Sequence, residues 1–154
     1  MLTLLKKLCR KKAKSETACI KEEIHRSERF GYNFGIIIME RKGFSMDNLA
    51  KTFSMNKNPF HELKNYLRPY DRLIQENNKR YCVILPQTDD TGCSIVKERI
   101  YNYCQKFNIK DVLMGSSIYP YDGTSAGKLL QSAHDRSKKY QEDVPVKDIE
   151  LNLL

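Results

Sequence analysis

The pattern of apolar and polar positions divides the chain into alternating helical and extended segments. Ser15 to Arg29 is rich in helix formers, with Ser15 placed to cap its start and Gly31 to stop it. Phe34-Gly35-Ile36-Ile37-Ile38-Met39 is a continuous, largely β-branched run without alternation, as expected of a central strand covered on both faces. Asp47 to Thr52 and Pro59 to Leu67 read as two helical pieces, broken around Asn56-Lys57-Asn58-Pro59 because proline restricts the residue before it. Asp71 to Gln75 and Tyr81 to Leu85 are short strands flanking Asn77-Asn78. Asparagine tolerates the positive φ of a tight turn, so a β-hairpin is expected there. Between Thr88 and Phe107, the side chains of Val96, Ile100, Cys104 and Phe107 fall on one helical face, and Val112 to Ile118 forms a further strand. Ala126, Leu129, Leu130 and Ala133 are spaced as the core stripe of a helix capped by Thr124 or Ser125. Ile149, Leu151 and Leu153 alternate as in a half-buried edge strand.

The expected order is therefore α-β-α-α-β-β-α-β-α-β. Helices lying between strands cover a mainly antiparallel sheet, which makes an α+β sandwich of ferredoxin-like character. The chain of 154 residues is sized for one domain, placed at 15–154, with residues 1–14 as a tail or linker. A composition that is 40% hydrophobic and 30% charged suits a single soluble core. No apolar run approaches the ~18 residues of a membrane span.

The net charge of +8 suggests a nucleic-acid binder only until it is divided along the chain. Residues 1–14 hold six of the 27 lysines and arginines and none of the 19 acids, leaving a nearly balanced 21 against 19 in the remainder. A body that tracks phosphates along DNA is not expected. Nor is an RNA-binding sheet, because Lys79 to Leu85 offers one aromatic and no glycine where that recognition strand needs both. In the tail, Leu2, Leu4, Leu5 and Leu8 interleave with cations, which admits contact with an anionic membrane surface. The segment is short and lacks an aromatic, so a solvated linker or frayed helix end is the preferred reading. Secretory features are absent.

Five cysteines, Cys9, Cys19, Cys82, Cys93 and Cys104, form no CxxC pair. Reduced thiols, buried in a core, in a cytoplasmic protein are expected. His25, His61 and His134 lie far from any cysteine pair, so a zinc site is not expected.

The order of elements and several local strings resemble the GGDEF domain, the fold of enzymes that make cyclic di-GMP from two GTP. Arg29-Phe30-Gly31 followed by Ile36-Ile37-Ile38-Met39-Glu40-Arg41-Lys42-Gly43-Phe44-Ser45 is similar to that family's opening and first strand. Arg68-Pro69-Tyr70-Asp71, the spacer Arg72 to Glu76, Asn77-Asn78-Lys79-Arg80-Tyr81 and the strand Cys82 to Pro86 resemble its RxxD, five-residue spacer, signature hairpin and following strand. Gly115, Tyr119-Pro120-Tyr121-Asp122-Gly123 and Leu129 to His134 continue the likeness, which spans residues 16 to about 153. The resemblance implies a nucleotide-cyclase-type sheet.

It also implies losses. Asn77 and Asn78 stand in place of two glycines that let the backbone approach GTP, and Lys79 and Arg80 replace two metal-holding acids. Of the family's metal acids only Glu40 has a counterpart, Lys42 replaces the other, and Ser45 replaces a lysine. Magnesium needs hard oxygen ligands, and cations in their place repel it. No cyclase activity, no metal and no cofactor are expected, and Glu40 is read as a solvated strand-end carboxylate. What remains is Arg68 and Asp71, in the register of the family's inhibitory site for cyclic di-GMP. An Arg fork can pair with guanine O6 and N7 or with phosphate, and an Asp accepts from guanine N–H groups. Arg72 and Arg80 are candidate further contacts. The expectation is a catalytically inactive regulatory domain that binds cyclic di-GMP through Arg68, Asp71, Arg72 and Arg80. The alternative is a ligand-independent interaction or dimerisation module of a bacterial signalling system, whose partner is another signalling protein or a second copy.

Overall fold

The computed structural model describes residues 14–42 and 59–142. Helix α1 (Glu16–Phe30) begins where Ser15 Oγ accepts from the Ala18 N–H at 3.2 Å. It ends at Gly31, whose left-handed φ of 70° lets its N–H close onto the Ser27 carbonyl at 2.8 Å. Strand β1 (Phe34–Arg41) follows. Further along come a 3-10 segment (His61–Tyr66), β2 (Arg72–Gln75), β3 (Arg80–Pro86), α2 (Asp90–Lys106), β4 (Val112–Tyr119) and α3 (Ala126–Glu142).

The four strands form one sheet in the order β2-β3-β1-β4, and every neighbouring pair is antiparallel. With the helices on both faces this is the expected α+β, ferredoxin-like sandwich. β1 sits between β3 and β4, and Phe34 to Met39 are all buried, which explains why its sequence does not alternate. Its odd and even positions serve different cores. Ile37 and Met39 join Tyr81, Val83 and Leu85 against α2 and Phe60. Phe34, Ile36 and Ile38 join Cys82 and Ile84 against Cys19, Ile20 and Ile24 of α1 and Leu129 and Ala133 of α3. Each fully buried aliphatic side chain contributes roughly 1.5–3 kcal/mol.

Two glycines mark where helices approach the sheet backbone. A Cβ on Gly35 would lie 2.1 Å from Cys93 Sγ of α2, and one on Gly115 would lie 1.9 Å from the Ala133 carbonyl oxygen of α3. The resemblance had singled out Gly115, and its role is this contact.

Several expectations need correction. Within Pro59 to Leu67 the helical part is a short 3-10 segment, His61–Tyr66, whose buried residue is Leu63, with Phe60 just before it also in the core. Phe107 does not complete the buried stripe of α2. It is the C-cap residue and 39% exposed, while Cys93 and Tyr103 take core positions beside Val96, Ile100 and Cys104. Asp71 precedes β2 and belongs to the turn before it. In α3, Ser125 supplies the cap through Lys128 N–H, and Leu130 is only partly buried. Cys19, Cys82, Cys93 and Cys104 are buried free thiols, as expected, and burial pushes Cys104 up to about 11. The helix expected over Asp47 to Thr52, the strand over Ile149 to Leu153, Cys9 and residues 1–13 lie outside the described residues. Among the described residues no helix is long and apolar enough to cross a membrane.

Candidate functional site

The β2–β3 hairpin closes through a side chain. Asn77 Oδ1 accepts from the N–H groups of Lys79 at 2.8 Å and Arg80 at 2.9 Å, while Glu76 N–H donates to the Arg80 carbonyl at 3.0 Å. Neither Asn77 nor Asn78 takes the positive φ expected of them. The non-glycine residues that do, among those described, are Gln87, Asn108 and Asp111. A four-residue loop capped by an Asn carboxamide does not require left-handed backbone. Asn77, Asn78 and Lys79 are exposed on this loop, whereas Tyr81 is buried and packs edge-on against Phe60 at 4.6 Å.

Arg80 opens β3 opposite Glu40 of β1. Its Nη2 pairs with Glu16 Oε1 at 3.1 Å, and the Glu16 N–H donates to Glu76 Oε2 at 3.0 Å. Glu16 is 4% exposed. Burial holds its carboxyl above the usual range, Arg80 opposes that shift, and Glu76 and Glu40 add to it. Glu40 itself is half-buried, with Oε2 3.5 Å from His134 Nδ1 of α3. Glu40 thus has an arginine as cross-strand partner and an imidazole beside it. Among the described residues no three His, Cys, Asp or Glu side chains gather as a metal-binding group.

Arg68 and Asp71 meet across a tight turn, Asp71 N–H donating to the Arg68 carbonyl at 3.0 Å. The Asp71 carboxylate accepts from the Arg68 backbone N–H at 2.9 Å, from Nε at 3.2 Å and from Nη2 at 3.0 Å. Nη2 also donates to Thr88 Oγ1 at 2.6 Å and to the Pro86 carbonyl at 3.2 Å, and Nη1 to Tyr70 Oη at 3.3 Å. The guanidinium lies 4.7 Å from the centre of the Tyr70 ring. The Asp71 side chain is 1% exposed. This bidentate fork braces the turn against the end of β3, and Arg68 keeps a second Nη1 proton beyond the one given to Tyr70.

Arg72, on β2, reaches α1 instead. Nη1 pairs with Glu22 Oε2 at 3.2 Å and Nη2 lies 3.2 Å from Cys19 Sγ. Lys14 pairs with the other oxygen of Glu22. These two cations lower the Glu22 carboxyl pKa, with Lys14 the larger influence. A groove of about 690 Å³ runs along the edge strand between these groups, lined by Lys14, Cys19, Lys64, Arg68, Asp71 and Arg72 among others. Of the four expected ligand residues, the structure gathers Arg68, Asp71 and Arg72 at this groove, while Arg80 pairs with Glu16 at the hairpin. Sequence reasoning missed Lys14, Lys64 and Glu22 here. Lys14 and Glu22 lie eight residues apart across the start of α1, but their link to Arg72 is some fifty residues long-range and carries no local signal.

No protein-family model matches the sequence, and no curated protein does. Solved structures do match. The GGDEF domain of YfiN (TpbB) from Pseudomonas aeruginosa superposes with a TM-score of 0.68 at 13% identity, over 80% of this chain and 84% of that one. The fold is that of GGDEF domains. Diguanylate cyclase SiaD of the same organism, solved with its activator SiaC, gives 0.68 at 16% identity over 82% of this chain and 53% of that one. The GGDEF domain of DgcB from Caulobacter crescentus, solved with c-di-GMP, gives 0.63 at 9% identity over 82% and 80%. At such identities the likeness is one of GGDEF fold. Cations on the hairpin, and a groove beside the RxxD turn, are features of this chain's own side chains.

Proposed function

We propose that this GGDEF-fold domain performs no cyclase chemistry and acts as a regulatory domain whose edge-strand groove binds cyclic di-GMP. The observation that carries the reading is the convergence of Lys14, Lys64, Arg68 and Arg72 on one groove of suitable size. A cyclic dinucleotide carries two phosphate charges and two purine faces. Arg72, Lys14 and Lys64 suit the phosphates, and the braced Arg68 offers its remaining Nη1 proton to a guanine acceptor. Asp71 acts through Arg68, because its carboxylate is buried in the fork and out of reach of a base. Non-catalysis is supported by Lys79 and Arg80 on the hairpin and by Arg80 standing across from Glu40, where their charge opposes magnesium. The c-di-GMP in the DgcB structure shows that a domain of this fold accommodates the molecule.

Calorimetric titration of cyclic di-GMP into wild-type protein and the Arg72→Ala and Lys64→Ala variants tests this reading. Micromolar binding, weakened about tenfold in each variant and increasingly at higher salt, is expected. Absence of heat with the wild type at concentrations well above micromolar ends it, and formation of cyclic di-GMP from GTP and magnesium by pure protein ends the non-catalytic part.

A second reading is self-association without a ligand. It is favoured by Ile95 and Tyr101, which stand about half exposed on α2, with Tyr101 lining a cleft beside Met114 of β4. A mass by light scattering that rises with concentration, and that Tyr101→Ser returns to the monomer, supports it.

A further inference from the structure

Two of the three arginines expected to meet a ligand are already occupied by one element. Glu22 of α1 holds Arg72, and Glu16 of α1 holds Arg80. Cys19, between them on the helix, also touches Arg72. The Glu16 N–H is tied to Glu76, the first residue of the hairpin loop after β2, so the first turn of α1 is bound to the loop as well as to β3. Lys14, just before the helix, shares Glu22 with Arg72, so one carboxylate neutralises two cations of the groove.

From this arrangement we infer that α1 carries a built-in competitor for the groove: the Glu22 carboxylate occupies the place of a ligand phosphate on Arg72 and Lys14, and ligand entry displaces it and loosens the start of α1. The inference rests on the groove being a site for an anionic ligand. Its physical basis is that an ion pair between partly exposed groups is weak, of the order of thermal energy, and exchanges readily for a phosphate that offers more charge and more acceptors. The Glu16–Arg80 pair is different. It is largely buried, and removing one partner strands the other, so it serves as the pivot that keeps α1 near the hairpin while Glu22 exchanges. By linkage, what holds α1 down weakens the ligand, and what the ligand releases is the helix entry that follows residues 1–14. An event at the groove is thereby coupled to the start of α1.

The test uses the full chain and cyclic di-GMP. Glu22→Gln should bind about fivefold more tightly than wild type, whereas Glu22→Asp, which keeps the charge, should stay near the wild-type value. A gain in affinity is informative because generalised destabilisation produces only losses. Hydrogen exchange supplies a reading without ligand: amides in the first turn of α1 should exchange faster in Glu22→Gln, and in the wild type on adding the dinucleotide. Equal affinity of wild type and Glu22→Gln, with binding present in both, overturns the competitor and leaves the groove standing. Absence of binding in both removes the ligand reading, and unchanged exchange in Glu22→Gln then overturns the clamp on its own evidence.

Discussion

The two faces of the sheet are built from different materials. The α2 face is closed by interlocking rings: Phe60 packs on Tyr81 at 4.6 Å, and Tyr103 on Phe107 at 4.5 Å. The Tyr103 hydroxyl is satisfied by the Pro59 carbonyl at 2.8 Å. The opposite face is mainly aliphatic, with one stacked ring pair in Phe34 and Tyr119 at 5.1 Å, and charge runs along its margin, where Glu16 and Glu23 are buried and Glu22 pairs with Arg72. Glu23 is reached there by the Tyr32 hydroxyl at 2.7 Å. Packing alone suffices for the first face. The second holds buried carboxylates in contacts that a hydrocarbon of similar volume could replace at equal or better stability.

Three measurements sharpen or break that contrast. The largest effect belongs to the aromatic face. Tyr81→Ala opens a cavity beneath Phe60 and should lower unfolding free energy by about 3–5 kcal/mol in chemical denaturation. A loss under 1 kcal/mol would show that this face is not the main store of stability. Next comes the turn before β2. Arg68→Ala leaves the Asp71 carboxylate buried without its fork and should cost about 3 kcal/mol, whereas Arg72→Ala, at an exposed pair, should cost under about 1 kcal/mol. Equal losses would mean that Arg72 is as structural as Arg68.

The smallest effect is in pH dependence, and it separates two carboxyls on one helix. The folded-state pKa of Glu16 is raised, mainly by burial, so its proton favours the folded state. Its contribution is complete below its unfolded value near 4.5 and is lost as pH rises through the folded value. Glu22 is lowered by Lys14 and Arg72, so its contribution is present above that unfolded value and is lost as pH falls through the folded one. In melting-temperature profiles between pH 3 and 8, Glu16→Gln should hold up better than wild type toward neutral pH. Glu22→Gln should lose part of the wild type's fall toward acid. Parallel profiles for all three proteins would show that the two carboxyls share one environment.

Much of the fold was legible because its signals are local. The β-branched run at Phe34 to Met39, the Ser15 cap and the Gly31 stop each arise within a few residues, and each stands where expected. The hairpin was legible in place but not in mechanism, since Asn77 works through its carboxamide and not through its φ. Phe107 was misplaced because a helical stripe predicts a face and not where the helix ends. For the site, the pairing of Arg68 with Asp71 follows from their spacing across a turn, but the burial of Asp71 does not. Nor does the further hold on Arg68, whose Nη2 is taken by Thr88 Oγ1 and the Pro86 carbonyl, groups that come near the turn only once β3 is in the sheet.

The chain's own pattern thus determined which segments are helix and strand, that one unalternating strand lies at the centre, and that cations stand on the hairpin. These are consequences of side-chain shape, backbone preference and charge, all properties of short stretches. Only the tertiary structure decided what those cations face. Arg80 meets Glu16 and Arg72 meets Glu22, each pair brought from different elements by sheet register and helix packing. An ion pair depends on a few ångströms of separation, and that distance is set by the whole fold.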